Sequence, residues 1–362
     1  MDKFAYMEKY DFEQLCFFQD KHTGLKAIVC VHDTVLGPGL GGTRIWNYDN
    51  EEDAVLDVLR LARGMTYKNA MAGLPLGGGK AVIIGDAKEL RRDSVRSEAF
   101  WRAFGRFVEG LNGRYITAMD VGTTVQDMAY INAETNNVVG LDGRSGDPSP
   151  FTALGVFRSL LACAKHVYGS EDITGKKVMV QGMGSVGMGL CKHLHEAGAK
   201  LLVSDIDEEK IAKAVADFGA TKVELDDVYS ADYDIYAPCA LGGTIDDETI
   251  PQLKCKIVCG GANNVLKDPQ EHGRALNDRG IVYAPDYVAN AGGVINVAHE
   301  RREGGYNKVA ATRDVERIYW RILEILRISK ETGCLTHEVA DNMAEARISA
   351  MRHTRCISTG SK

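Results

Sequence analysis

Lys80 ends a glycine-rich run, Gly73-Leu-Pro-Leu-Gly-Gly-Gly-Lys80, and follows Lys68 by twelve residues. Tight glycine turns would let this lysine point into a closed cleft, where loss of solvent and a nearby cation make an ammonium group easier to deprotonate. A Walker A phosphate loop is excluded, because Leu74 replaces its first glycine and Ala81 follows the lysine. By these residues alone, Lys80 is either a base in a cleft or a lysine on a surface turn.

A second candidate is Asp120, in the segment Tyr115-Ile-Thr-Ala-Met-Asp120-Val-Gly-Thr-Thr124. The apolar residues 115–118 predict a strand, and an aspartate at a strand end before a glycine turn can project into a cleft. By spacing alone, Asp120 is equally a turn or cap residue. Its assignment therefore depends on the other motifs.

A glycine pattern predicts a dinucleotide site. The strand predicted at 177–181 leads into a G-x-G-x-x-G motif and then a helix, so that the backbone can approach a pyrophosphate at the helix N-terminus. The motif consists of Gly182, Met183, Gly184, Ser185, Val186 and Gly187. Asp205 ends the next strand, followed by Ile206; its carboxylate would accept hydrogen bonds from a ribose and repel a 2′-phosphate, which favours NAD over NADP. A purely structural strand-turn-helix is the alternative.

The elements that must position these residues form two groups. The first mixes strands at 25–32, 81–84 and 115–118 with helices at 51–68 and 92–109. Glycine and proline at 140–150 indicate a linker. Buried strands alternating with helices then predict a doubly wound parallel sheet. Its strands are predicted at 177–181, 200–204, 233–237, 256–259 and 281–284, followed by one long helix through 315–326 and another at 336–352.

Composition excludes several classes of protein. The 362 residues carry a net charge of -7, so nucleic acid and anionic membranes are not expected as partners. No apolar run approaches the roughly 20 residues of a membrane span, and the N-terminus has no apolar signal core. Nine scattered cysteines predict reduced thiols and a cytoplasmic location. Cys255 and Cys259 lack a second pair, so no metal site is expected.

Together these segments resemble the amino-acid dehydrogenases that oxidatively deaminate glutamate, leucine, phenylalanine or valine. The matching pieces, in chain order, are Leu-Gly-Gly-Thr-Arg44, Gly64-Met-Thr-Tyr-Lys68-Asn, Leu-Gly-Gly-Gly-Lys80, Asp120-Val-Gly-Thr-Thr, Asp147-Pro-Ser-Pro150, Ala-Pro-Cys239-Ala-Leu-Gly, Ala262-Asn-Asn264 and Asn290-Ala-Gly-Gly-Val-Ile-Asn-Val297. The resemblance implies an α/β protein with a cleft between two domains. A mixed α/β domain, 1–148 plus 332–362, would bind substrate and form a homo-oligomer, either an octamer or a dimer; a Rossmann domain, 149–331, would bind NAD.

The resemblance also implies the roles of the site residues. Lys68 would hold the substrate carboxylate, with the backbone of Gly41 and Gly42 helping to orient it. Lys80 would activate the water that attacks the iminium, and Asp120 would relay protons to and from the amino group. Further contacts to the nicotinamide or its ribose are implied for Thr152, Cys239, Ala240 and Asn263, with Asn263 also near substrate, and for Arg44 across the cleft. Each of these could instead be structural.

An apolar side-chain pocket is implied at Leu40, Met65, Ala118, Val294 and Val297. These positions offer no cation for a second carboxylate, so leucine, valine and isoleucine are expected over glutamate. The alternatives are a phenylalanine or broad apolar amino-acid dehydrogenase, and an NAD-binding sensor without catalysis. Val294 and Val297 share one face of a predicted helix and could be ordinary core. Met119 stands where the leucine-type members carry an acid, so we expect altered pH dependence or substrate preference.

Overall fold

The computed structural model describes residues 2–354, whose contacts divide into two compact units. The first contains the described residues 2–147, 297–307 and 344–354, and the second contains 148–296 and 308–343. The sequence analysis placed residues 297–307 in the second domain and residues 332–343 in the first. The structure places both segments in the opposite unit. Residues 355–362 of the predicted first domain lie outside the described residues.

The first unit is built on a five-stranded mixed sheet. Its strands are β1 (Gln14–Asp20), β2 (Leu25–Asp33), β3 (Gly39–Trp46), β4 (Gly77–Ile84) and β5 (Tyr115–Met119), in the order β1-β2-β4-β3-β5. Strand β3 runs parallel to its neighbours β4 and β5, whereas β2 is antiparallel to β4 and β1. The sequence analysis missed β1 and β3. In β3 the glycines and the preceding proline hide the β-branched pattern by which strands are recognised.

Helices cover both faces of this sheet. They are α1 (Lys3–Tyr10), α2 (Glu51–Met71), α3 (Ala87–Leu90), α4 (Ser94–Glu109) and α5 (Val125–Asn132). The Asn50 side chain caps α2 by accepting from the Asp53 N–H, and acidic residues fill the first turn. The apolar stripe of α2 packs with Ile28 and Val82, whereas Trp101 of α4 belongs to the core on the other face.

The second unit is a six-stranded sheet in which every pairing is parallel, as predicted. Its strands are β6 (Lys177–Gln181), β7 (Lys200–Ser204), β8 (Thr221–Lys222), β9 (Ile235–Pro238), β10 (Ile257–Val258) and β11 (Val282–Tyr283), in the order β11-β10-β9-β6-β7-β8. The chain builds outward from β6 in one direction and from β9 in the other. Such a topological switch point is where open α/β sheets bind ligands.

The remaining helices alternate with these strands and complete the chain. They are α6 (Ser149–Tyr168), α7 (Ser185–Glu196), α8 (Glu208–Phe218), α9 (Pro269–Asp278), α10 (Asp286–Ala289), α11 (Gly292–Ala298), α12 (Lys308–Glu316), α13 (Ile318–Thr332) and α14 (Thr336–Thr354). The single helix predicted through 315–326 is wrong: Arg317 separates α12 from α13. Its carbonyl accepts from the N–H of Trp320, the tighter spacing of a 3₁₀ turn.

Candidate active site and cofactor loop

Lys80 lies inside a strand, which corrects the prediction of a glycine turn. The run Gly77-Gly78-Gly79-Lys80 begins β4, and Lys80 is only 4 % exposed. The glycines serve close packing: a Cβ atom at Gly78 would lie 2.1 Å from the Thr66 hydroxyl of α2. A Cβ atom at Gly79 would lie 2.8 Å from the Tyr115 ring. Only glycine lets β4 approach its neighbours this closely, and the approach buries Lys80.

Asp120 follows the last residue of β5, as predicted, and its Oδ2 lies 3.2 Å from the Lys80 Nζ. The strand β3 runs between β4 and β5, so its side chains could block this contact. A Cβ atom at Gly42 would lie 2.8 Å from the Asp120 Cβ, and one at Gly41 would lie 1.8 Å from the Gly79 carbonyl oxygen. The two glycines of β3 therefore leave the space in which the lysine and the aspartate meet.

Arg44 contacts the same aspartate from β3. Its Nε donates to the Asp120 Oδ2 over 2.9 Å, and its guanidinium also donates to the Asp57 Oδ2 over 3.0 Å. Burial by itself would raise the pKa of Asp120, but attraction by Lys80 and Arg44 outweighs it and lowers that pKa to about 2. Asp120 is therefore a carboxylate at neutral pH. The structure places Arg44 on two carboxylates of the first unit, and its predicted contact with a cofactor stays a prediction.

The end of α2 holds the half-buried Lys68 in its last turn. The next residue, Asn69, is fully buried, and its Nδ2 donates to the carbonyl oxygens of Leu40 over 3.2 Å and Gly77 over 2.6 Å. This amide ties the end of α2 to both β3 and β4. The sequence analysis gave Asn69 no role, although a polar residue beside a candidate lysine on an apolar helix face was a usable signal.

The predicted lining residues divide between the units. Leu40 and Ala118 are buried strand residues, and the Met65 Cγ would lie 3.0 Å from a Cβ atom at Gly41. Leu40 precedes Gly41 in β3, and Ala118 pairs with Gly42 in the sheet register. Their predicted role in lining a substrate pocket stays a prediction. The other two, Val294 and Val297, lie on α11 as expected; Val294 belongs to the second unit and Val297 to the first.

Met119 points into apolar surroundings. It packs against the core that includes Trp101 and Phe104, and its Cε would lie 4.0 Å from a Cβ atom at Gly140. Val297 reaches the same point with its Cγ1, also at 4.0 Å. A carboxylate at position 119 would lose solvent there, which gives a physical reason for the neutral side chain.

The glycine motif of the second unit lies at the switch point, between the ends of β6 and β9. Gly182 has a φ of 100°, and a Cβ atom there would lie 2.7 Å from the Ala240 nitrogen. A Cβ atom at Gly187 would lie 1.9 Å from the Gly182 carbonyl oxygen, so only glycine lets α7 pack this closely. Gly184 caps α7 without a side chain, and a Cβ atom there would meet nothing within 4 Å.

Asp205 is held beside this loop. Its Oδ2 accepts a short hydrogen bond from the Met183 N–H, and its Oδ1 accepts from the Asp207 N–H over 2.9 Å. Each carboxylate oxygen has two lone pairs, so capacity for ribose hydroxyls remains. The adjacent Ile206 is 88 % exposed and offers an apolar surface. The glycine loop, the N-terminus of α7 and Asp205 thus fit a dinucleotide.

The other residues that were predicted to contact the cofactor lie in the second unit. Cys239 donates its N–H to the Gln181 carbonyl over 2.7 Å, and burial raises the pKa of its thiol to about 11, which keeps it neutral. The Thr152 hydroxyl donates to the Pro148 carbonyl over 3.1 Å. The Asn263 Oδ1 accepts from the Asn290 Nδ2 over 2.7 Å.

Two features are absent from the part of the chain that the structure describes. Within it, no helix is long and apolar enough to cross a membrane. Nor do the described histidine, cysteine, aspartate and glutamate side chains form a group that could hold a metal ion.

Comparison with protein-family models decides the family. Residues 13–137 match the dimerisation domain of Glu/Leu/Phe/Val dehydrogenases, and residues 143–209 and 202–326 match the Glutamate/Leucine/Phenylalanine/Valine dehydrogenase model. The chain belongs to this dehydrogenase family. The sequence resemblance is confirmed, as is the fold of two α/β units with a Rossmann sheet in the second.

Relatives within the dehydrogenase family match almost end to end. A leucine dehydrogenase of Bacillus subtilis (strain 168) is 57 % identical over 358 residues, 98 % of this chain and 96 % of its own. A valine dehydrogenase of Streptomyces virginiae is 46 % identical over 94 % of both chains. The crystal structure of an L-tryptophan dehydrogenase from Nostoc punctiforme superposes with a TM-score of 0.82 at 45 % identity, covering 96 % of this chain and 99 % of its own.

Proposed function

We propose that the protein catalyses the reversible, NAD-dependent oxidative deamination of a branched-chain L-amino acid. Leucine, valine or isoleucine, NAD⁺ and water would give the 2-oxo acid, ammonium, NADH and a proton. The observation that carries the proposal is the buried contact of Lys80 with Asp120 beside Gly41 and Gly42. The 57 % identity to a leucine dehydrogenase supports this reaction and substrate.

The first unit supplies the groups that handle the amino acid. Lys68, in the last turn of α2, binds the substrate carboxylate in this proposal, and Asn69 holds that turn in place. Leu40, Met65 and Ala118 are apolar, so a second carboxylate on the substrate would find no counter-charge among them. This favours aliphatic side chains over that of glutamate.

Lys80 and Asp120 divide the proton chemistry. Attack of water on the iminium requires removal of a proton from that water, and we assign this step to the Lys80 amine. Asp120 is a stronger acid than usual, with a pKa of about 2, so it is a weak proton acceptor on its own. Its carboxylate orients the amino group and exchanges protons with Lys80 across the 3.2 Å contact.

The second unit would hold the nicotinamide cofactor. When bound, NAD⁺ supplies the acceptor for the hydride that leaves the substrate α-carbon. Gly182, Gly184 and Gly187 leave room for the pyrophosphate, and the N–H groups of the first turn of α7 stabilise its charge. Asp205 favours NAD over NADP by repelling a 2′-phosphate. Nearby contacts to the nicotinamide or ribose are proposed for Thr152, Cys239, Ala240 and Asn263.

A second candidate substrate is a large aromatic amino acid. The solved L-tryptophan dehydrogenase with a TM-score of 0.82 shows that this fold also serves such a substrate. We infer that the sizes of Met65, beside Gly41, and of Ala118, paired with Gly42, decide between the two in the first unit. One methylene changes binding by only about 1–3 kcal/mol, so several aliphatic substrates are expected to react.

A substrate panel tests this proposal. NADH formation with leucine, valine, isoleucine, phenylalanine, tryptophan and glutamate at alkaline pH should give the highest kcat/KM for a branched-chain amino acid. Preference for phenylalanine or tryptophan would replace the proposed substrate with an aromatic one. No turnover with any amino acid, together with retained NAD binding, would support a sensor.

We also propose a homo-oligomer and a cytoplasmic location. Among the described residues, β1 pairs only with β2, and Phe17 on β1 is 49 % exposed, so this edge suits a second copy. The family name of this region, a dimerisation domain, agrees with such an edge. The eight described cysteines are all free thiols, as expected in a reducing compartment. Light scattering at several concentrations would reveal a monomer if the oligomer were wrong.

A further inference from the structure

A chain of alternating charges extends from the active site into the first unit. The Lys80 Nζ and the Arg44 Nε both contact one oxygen of Asp120, its Oδ2, at 3.2 and 2.9 Å. Arg44 then contacts the Asp57 Oδ2 on α2 at 3.0 Å. The Tyr48 hydroxyl donates to the same Asp57 oxygen over 2.5 Å. The guanidinium is thereby held at two places by groups on different elements.

This arrangement sets the orientation of the Asp120 carboxylate. Both cations contact the same oxygen, Oδ2, and so hold that oxygen in place. Arg44 and Asp57 are about three-quarters buried, with side chains 23 % and 27 % exposed, so solvent screens their attraction less than at the surface. A planar guanidinium with two bound carboxylates also cannot rotate freely.

We propose that Arg44 is a positioning residue for the deamination, and that Asp57 and Tyr48 position Arg44 in turn. Arg44 holds the Asp120 carboxylate ionised and keeps its Oδ2 in contact with the lysine. This inference rests on the proposed amino-acid dehydrogenase activity. It differs from the predicted role of Arg44 as a cofactor contact, because the guanidinium acts here through Asp120 within the first unit.

The charged and titratable groups around Asp120 determine the direction of the effect. Lys80 on β4 and Arg44 on β3 stabilise the carboxylate, whereas burial disfavours it. The buried Tyr115 hydroxyl on β5 is neutral, and the charge of Asp120 helps to raise its pKa. Without Arg44, only Lys80 remains to offset the effect of burial on the Asp120 carboxylate. The pKa of Asp120 should then rise, and because Asp120 exchanges protons with Lys80, the pair should become a working base only at a higher pH.

The test compares Arg44→Met, Arg44→Lys and Asp57→Asn with the exposed control Arg60→Lys on α2. With leucine as substrate, Arg44→Met should lower kcat about 10- to 100-fold and move the acid limb of the kcat/KM profile upward by at least one pH unit. Arg44→Lys keeps the charge but not the two-pronged contact, so it should lower kcat and leave the acid limb close to that of the unmodified protein. Asp57→Asn should lower kcat several-fold, and Arg60→Lys should change nothing.

Three outcomes separate this inference from the alternatives. A rise in the KM for NAD at unchanged kcat and pH profile in Arg44→Met would assign Arg44 to the cofactor and overturn the positioning role. Normal kinetics in both Arg44 variants would also overturn it. An inactive unmodified protein would contradict the proposed function itself, and the inference with it. If circular dichroism shows that Arg44→Met does not fold, Asp57→Asn provides the test instead. Unchanged kcat and an unchanged acid limb in Asp57→Asn would then overturn the positioning role.

Discussion

At the scale of single residues, two aspartates carry the proposed function, Asp120 in the proton transfers and Asp205 in the choice of cofactor. Asp120 was recognisable only through the family resemblance, because by spacing alone an aspartate before a glycine turn is equally a turn or cap residue. Its contacts with Lys80 and Arg44 could not be predicted, because sequence spacing does not show which strands are neighbours. The position of Asp205 beside the glycine loop, in contrast, was predictable from spacing alone, because a strand, a glycine loop and a helix restrict where the next strand ends. Its contact with a ribose stays a prediction.

Asp205 should set the coenzyme preference. Replacing it with asparagine removes the charge that repels a 2′-phosphate but keeps an acceptor for the Met183 N–H. We expect the ratio of kcat/KM for NAD over NADP to fall at least about tenfold. Asp207→Asn is the matched control, because Asp207 caps α8 through the N–H groups of Glu209 and Lys210 and should affect stability alone. An unchanged ratio in Asp205→Asn would place the ribose elsewhere.

At the scale of elements, the glycine run shows where sequence reasoning reached its limit. Three consecutive glycines before a lysine predict a turn, yet they form the start of β4, because Thr66 and Tyr115 press against them. Close packing also requires the glycines of β3, and these glycines kept the sequence pattern from indicating a strand there. Helices with a clear apolar period and a side-chain cap, such as α2 and α4, were found within a few residues of their true ends. Strand recognition failed where tertiary packing requires glycine.

The glycines of β3 provide an element-scale test. In Gly42→Ala the new methyl group would lie 2.5 Å from the Met119 carbonyl oxygen and 2.8 Å from the Asp120 Cβ, so the end of β5 must shift. We expect a loss of about 1–3 kcal/mol in the free energy of unfolding and a fall in kcat of at least tenfold. Urea unfolding and steady-state kinetics measure both.

Gly64→Ala is the control for that substitution. Gly64 lies in the exposed part of α2, and a Cβ atom there would meet nothing within 4 Å. Alanine should stabilise the helix by up to about 1 kcal/mol without an effect on turnover. Equal behaviour of the two variants would show that β3 does not need glycine for the site.

At the scale of the whole molecule, the two units and the return of the C-terminal helix to the first unit were predicted, but the place of residues 297–307 was not. Residues 297–307 belong with the first unit, where the buried Glu300 accepts from the backbone N–H groups of Gly140, Leu141 and Ser145. One glutamate in a short polar stretch carries no periodic signal. The boundary there depends on a hydrogen-bond pattern that only the folded chain reveals.

Stability against acid should depend on His32. Burial lowers the pKa of His32 to about 4, so the folded protein keeps it neutral while the unfolded chain takes up a proton below about pH 6.5. Stability should therefore fall as the pH drops from about 6.5 to about 4, by up to about 3 kcal/mol from this residue. His32→Gln should flatten this part of the curve of unfolding free energy against pH. The exposed His22→Gln should not; equal curves for all three proteins would contradict the assignment.

Turnover of Lys80→Ala with leucine and NAD, measured beside NAD binding, tests the central claim most directly. Lys26→Ala, an exposed lysine on the neighbouring strand β2, is the control. Loss of the base should lower kcat by about 10²–10⁴-fold, with NAD affinity unchanged, because the cofactor loop lies in the second unit. Turnover of Lys80→Ala within a few-fold of the unmodified enzyme would show that Lys80 is not the base.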